Sequence, residues 1–90
     1  MAKIMLVDDS KLIRKKLSDL FTAAGHTIAA ECENGEEAAG AYLTYKPDLV
    51  TMDINMPAMD GIEAIGRIRK LDPKARIVII SSESNEKKIL

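Results

Sequence analysis

The chain has 90 residues, enough for one domain and no more. Apolar residues make up 47% and charged residues 30%, a balance that excludes a disordered tail and fits a small globular unit. Thirteen basic residues against 14 acidic ones leave a formal net charge of −1, which argues against a nucleic-acid binder while leaving room for a local basic face.

A core this small is marginal, so each apolar run matters. The first, residues 3–7 (KIMLV), predicts a buried strand. Asp8, Asp9 and Lys11 interrupt it, so it is not a secretory leader, and no run is long enough to cross a membrane. A helix follows over 10–24, with Ile13, Leu17, Leu20, Phe21 and Ala24 on its inner face and Lys11, Arg14, Lys15, Lys16 and Asp19 on the others. Asp9 or Ser10 can cap its start, and Gly25 stands where a left-handed terminator is wanted. His26, next in that turn, reads as a surface residue.

Residues 27–31 predict a second, less apolar strand at a sheet edge. Cys32 after it is the only cysteine, so no internal disulfide can form, and a small buried hydrophobe in a reduced cytoplasmic setting is the expected role. A helix over about 35–45 is stopped by Pro47. Residues 48–52 predict a third strand. Asp60 can cap a helix over 61–70, with Ile62, Ile65 and Ile68 inward, and residues 76–80 (RIVII) predict a fourth strand. The tail SSESNEKKIL begins like a loop entering a helix.

Strands alternating with helices imply an α/β, doubly wound parallel sheet with right-handed crossovers. In such a sheet function collects at the carboxyl ends of the strands, where the strand order reverses. Strand one ends on Asp8 and Asp9, strand three on Asp53, strand four on Ser81 and Ser82. If these strands are neighbours, three carboxylates converge, each pair repelling by roughly 4 kcal/mol at 4 Å and an effective dielectric of 20. Either one carboxyl holds a proton or a hard cation sits among them, and oxygen ligands suit Mg²⁺ or Mn²⁺.

The chain has no GxxxxGK[ST] or GxGxxG phosphate cradle, no Cys/His cluster for zinc and no Ser-His-Asp set. A metal, a carboxylate and a hydroxyl remain, which is the equipment for phosphoryl transfer to Asp53. Blander roles exist for each piece: Asp8 and Asp9 as helix caps, Asp53 as a loop carboxylate, Asp60 as a cap outright. Their conjunction at three strand ends favours the functional account.

The segments IMLVDDS, PDLVTMDINMPAMDGIEAI and RIVIISS together resemble the receiver domain of two-component response regulators, and more narrowly the single-domain chemotaxis type. The resemblance implies a flavodoxin-like fold and a phosphorelay function. Asp53 would accept a phosphoryl group from a sensor histidine kinase. Asp8, Asp9, Asp53 and the backbone carbonyl of Asn55 would hold Mg²⁺. Ser81, with Ser82 beside it, would provide the hydroxyl that turns to the phosphoryl group. Met56, Pro57 and Gly61 would shape the surrounding loop. The implied partners are the kinase and a downstream protein such as a flagellar motor component, with neither nucleic acid nor membrane insertion. It would be a signalling switch rather than a metabolic enzyme.

A full receiver has five strands and five helices. Matched to that pattern, residues 1–90 are a partial receiver domain with strand order 2-1-3-4, ending within helix four. Strand five, helix five, the lysine after strand five and the switch aromatic on it have no counterpart. Ile77–Ile80 would then be an apolar edge, the kind that pairs with another chain, so a homodimer or a segment swap is expected there. Two alternatives carry different functions. One is a truncated, dimerising fragment without phosphotransfer activity. The other is an Mg²⁺-dependent phosphohydrolase with Asp53 as nucleophile, which would need a general acid at the position Asn55 occupies.

Overall fold

Every apolar run becomes a strand in a computed structural model of the chain, which describes residues 1–56 and 61–80. Strands β1 (Lys3–Val7), β2 (Thr27–Cys32), β3 (Leu49–Asp53) and β4 (Ile77–Ile80) alternate with helices α1 (Lys11–Ala23), α2 (Gly35–Tyr45) and α3 (Gly61–Leu71). All strand pairs are parallel and the order is β2-β1-β3-β4, as the sequence predicts. β1 to β2 steps one way across the sheet; β2 to β3 and β3 to β4 step the other way. Right-handed crossovers therefore put α1 on one face and α2 and α3 on the opposite one. The reversal falls between β1 and β3, so their carboxyl ends frame the cleft of the fold.

Local chemistry sets the element ends. The Ser10 hydroxyl accepts the Ile13 N–H at 3.2 Å and caps α1. At its other end Gly25 takes a φ of +93° and the His26 N–H reaches back to the Phe21 carbonyl at 3.0 Å, a Schellman closure. Asn34 caps α2 through the Glu37 N–H at 3.0 Å, and the Glu37 carboxylate in turn accepts the Glu33 N–H at 2.9 Å. That helix stops at Lys46, left-handed at φ 47°, just before Pro47.

The core is one cluster between the sheet and α2–α3, in which Met5, Val7, Val50 and Met52 meet Ala38, Tyr42, Ala64 and Ile68. Each large side chain buried there contributes about 1.5–3 kcal/mol. Cys32 is buried in it, as expected of a small hydrophobe.

Two helices sit rotated from their expected faces. In α1, Leu20 is 64% exposed and Ala24 is exposed, while Arg14 is buried and Ser18 half-buried. The buried and half-buried side is Ile13, Arg14, Leu17, Ser18 and Phe21, and Arg14 joins it because it finds polar partners there. In α3, Ile62 is 66% exposed and Ala64 takes the inner position with Ile68, the small side chain letting the helix lie close to β3. His26 is half-buried rather than free at the surface, with Nδ1 accepting the Ala2 N–H at 3.0 Å. β4 is an edge strand among the described residues, and its Val78 and Ile79 are exposed.

Candidate functional site

The register of the central strands assembles the site. Ile4 lies beside Leu49 and Val7 beside Met52, so the next residue of each chain, Asp8 and Asp53, come level across the β1–β3 seam. Both are buried, at 2% and 1% exposure, whereas Asp9 is open to solvent. One carboxylate oxygen from each of Asp8, Asp9 and Asp53 falls in a group within 4.8 Å of one another.

Backbone turns aim these side chains. Asp8 Oδ1 accepts the Ser10 N–H at 2.8 Å, and Asp53 Oδ1 accepts the Asn55 N–H at 3.0 Å. Each strand thus ends in an Asx turn that folds the carboxylate back over its own chain. The second oxygen of Asp53 is buried with no hydrogen-bond partner among the described residues. A buried carboxylate oxygen without a donor is costly, and it is rare in native proteins unless something binds it. Burial pushes the Asp8 carboxyl above the ordinary value of 3.8; the Ser10 N–H opposes this, and the charges of Asp53 and Asp9 raise it further. A proton on Asp8 would discharge the cluster in part. A divalent cation discharges it more fully, and an all-oxygen donor set with one buried, unpartnered atom suits a hard ion of the Mg²⁺ kind.

Gly61 sits against this arrangement. A Cβ there would run into the Asp53 carbonyl oxygen and come within 2.6 Å of the Ile54 Cα. The start of α3 is therefore locked against the β3 turn at a distance only glycine allows. Met56 is buried in the core cluster, anchoring the same turn from below. Pro57, Asp60, Ser81 and Ser82 lie outside the described residues.

Arg14 is the residue that sequence reading assigned to solvent. It is 7% exposed; its Nη1 donates to the Asp8 carbonyl at 2.6 Å and its Nε to Glu31 Oε1 at 3.0 Å. The spacing of Arg14 with Leu17 and Phe21, three and seven residues on, is the signal that could have placed it inward.

A parallel sheet in this order, with paired acidic residues and a facing aspartate at its switch point, defines a receiver-type domain. The chain belongs to the family of response regulator receiver domains, whose model matches residues 4–90. It is 43% identical over 88 residues to the chemotaxis protein CheY of Thermotoga maritima, covering 98% of this chain and 73% of that one. To the CheY of Halobacterium salinarum it is 46% identical over 90 residues, covering 99% and 74%. Among solved structures it matches the CheX–CheY–BeF3–Mg²⁺ complex of Borrelia burgdorferi with a TM-score of 0.88 and 37% identity, covering 97% of this chain and 66% of that one. The response regulator TrrA of T. maritima, solved with Mg²⁺ and fluoroberyllate, matches with a TM-score of 0.86 and 37% identity over all of this chain and 77% of that one. The chain thus spans about three quarters of those curated relatives and just under two thirds of a typical solved one. CheY-like receivers are signalling domains rather than metabolic enzymes. No helix among the described residues is long and apolar enough to cross a membrane.

Proposed function

We propose that this receiver accepts a phosphoryl group on Asp53 from the phosphohistidine of a sensor histidine kinase, with Mg²⁺ as its resident ion. The observation that carries the reading is the bare, buried Oδ2 of Asp53 at the meeting point of three carboxylates. Because the Asn55 N–H occupies Oδ1, Oδ2 is the oxygen left to react. It attacks phosphorus as the phosphorus–nitrogen bond to the kinase imidazole breaks, giving an acyl phosphate on Asp53 and returning the electron pair to the imidazole. Asp8, Asp9, Asp53 and the Asn55 carbonyl would hold the ion, and Mn²⁺ could substitute. Bound Mg²⁺ supplies charge neutralisation for the phosphoryl oxygens.

Ser81, with Ser82 next to it, donates a hydrogen bond to the new phosphoryl group, and the loop of Met56, Pro57 and Gly61 frames it. The added charge, about −1.5 to −2, reorders the adjoining loop and changes binding to a downstream protein such as a flagellar motor component. The fluoroberyllate and Mg²⁺ named for the Borrelia and Thermotoga relatives support this chemistry, since fluoroberyllate mimics a phosphoryl group.

Intact-mass spectrometry after incubation with acetyl phosphate and Mg²⁺ tests it. The expected outcome is a gain of one phosphoryl mass, absent in Asp53→Ala and absent in EDTA. A folded chain that gains no mass would refute phospho-acceptance by residues 1–90.

A further inference from the structure

A buried arginine beside three carboxylates would be expected to pair with them, and Arg14 does not. Its partners are the Asp8 main-chain carbonyl at 2.6 Å, Glu31 at 3.0 Å and Glu33 at 3.9 Å. Of these, Glu31 and Glu33 are partly or largely exposed, lie at the end of β2 and just beyond it, and are not members of the three-carboxylate group. The guanidinium is thus tethered on one side to β2 and on the other to the peptide that joins Asp8 to Asp9.

That peptide decides how the acidic pair points. Its carbonyl belongs to Asp8 and its N–H to Asp9, so holding its plane restricts the backbone torsions on either side, from which the two side chains set out. The rest of Asp8 is also held: its N–H donates to the Cys32 carbonyl at 3.0 Å and its Oδ1 accepts from Ser10. Asp9, exposed and beside two other carboxylates, has no such hydrogen bond to its carboxylate among the described residues. Without Arg14 the peptide plane can rotate and let the Asp9 carboxylate swing toward water.

We propose that Arg14 is a positioning residue of the cation site: it bridges β2 to the Asp8–Asp9 peptide and preorganises the acidic pair without neutralising it. The inference rests on the reading of the acidic cluster as a Mg²⁺ site. Partners that orient metal ligands from behind typically change affinity 10–100-fold when removed. Glu31, which orients Arg14, acts at one further remove and has a smaller effect through the same route.

The test is calorimetric titration of the purified chain with Mg²⁺ and with Mn²⁺, alongside circular dichroism and thermal unfolding in EDTA. Wild type, Arg14→Gln, Arg14→Lys, Glu31→Gln and the double variant Arg14→Gln/Glu31→Gln are compared. Arg14→Gln is expected to weaken Mg²⁺ binding about 10-fold, and Glu31→Gln about 3-fold. Arg14→Lys should fall between, since one ammonium cannot span both partners. The double variant should be no weaker than Arg14→Gln alone, because the two residues act in series. A purely structural arginine would lower unfolding temperature and leave the affinity of the folded fraction unchanged, and that result overturns the proposal. If Arg14→Gln does not fold, Glu31→Gln decides: wild-type affinity there overturns the proposal equally. Absence of Mg²⁺ binding in the wild type itself would instead refute the metal-site reading on which the inference stands.

Discussion

Asp48 and Asp72 stand at the amino end of the sheet, Asp8 and Asp53 at its carboxyl end, and the two pairs are held very differently. Asp48 accepts the Lys3 N–H at 2.8 Å and so ties the starts of β1 and β3 together. Asp72 accepts the Tyr42 hydroxyl at 2.6 Å through one oxygen and the Lys74 N–H at 3.0 Å through the other. The Tyr42 hydrogen bond, with help from the Lys74 N–H, holds the Asp72 carboxyl below its ordinary range, while burial lifts Asp8 above it. The carboxylates at the amino end staple elements together by accepting hydrogen bonds, Asp72 through both of its oxygens. Those at the carboxyl end are gathered against repulsion, and one buried oxygen is left bare. A hollow of about 520 Å³ lies between Tyr42, Asp48, Asp72, Lys74 and Arg76, at the end where the carboxylates serve as staples.

The largest expected effect comes from breaking the close approach that shapes the carboxyl end. Gly61→Ala places a methyl group on the Asp53 carbonyl, and backbone has little room to give. A loss of about 3 kcal/mol is expected, lowering the unfolding temperature by more than about 10 °C. Gly66→Ala, in the same helix with nothing within 4 Å of its added Cβ, is expected to gain about 0.5–1 kcal/mol from helix propensity alone. Thermal unfolding of both variants checks the pair. Equal effects would mean that α3 does not press on the Asp53 turn.

Next in size are two substitutions that should move stability in opposite directions. Asp53→Asn removes one charge from the acidic cluster and keeps its shape. In EDTA it should stabilise the fold by about 1–2 kcal/mol, since it relieves like-charge repulsion. Tyr42→Phe leaves Asp72 without its hydroxyl donor and should lower the unfolding temperature, by less than Gly61→Ala does. Adding Mg²⁺ separates them further: it should stabilise Tyr42→Phe as much as wild type and Asp53→Asn hardly at all. Asp53→Asn unfolding below wild type in EDTA would show that the cluster is not under repulsion.

The acidic site was legible in the sequence because parallel strands convert order along the chain into position in space. Asp8 and Asp53 each follow a run of buried apolar residues, and the register of two such runs brings their ends level. Parallel strands followed from the alternation of elements, and their order from the family resemblance alone. The helix faces were less legible: Leu20 and Ile62 look inward by hydrophobicity alone, and both turn out to solvent. Hydrophobicity does not register a guanidinium that finds a carbonyl inside, as Arg14 does, nor the advantage of a small residue such as Ala64 where a helix lies close to a strand. The Tyr42–Asp72 staple was equally hidden, because its partners are 30 residues apart and meet only once α2 and α3 pack side by side.

The finest distinction between the two ends is in their response to pH. Asp8 has its pKa raised from 3.8 by folding, so its contribution favours the fold below that value and fades as pH rises through the higher folded pKa. Asp72 has its pKa lowered from 3.8, so its contribution is complete above that value and is lost as pH falls through the lower folded pKa. In EDTA the unfolding temperature should therefore pass through a shallow maximum in mild acid, with Asp8 shaping the alkaline limb and Asp72 the acid limb. Asp8→Asn should flatten the first, and Tyr42→Phe, by returning Asp72 toward its ordinary value, should flatten the second. Mg²⁺ competes with protons for the acidic cluster alone, so the rise in unfolding temperature it produces should grow with pH across the alkaline limb and vanish on the acid one. A Mg²⁺ effect of constant size across both limbs would mean that the ion binds somewhere other than the Asp8, Asp9 and Asp53 cluster, because no site made of those carboxylates could ignore their protonation.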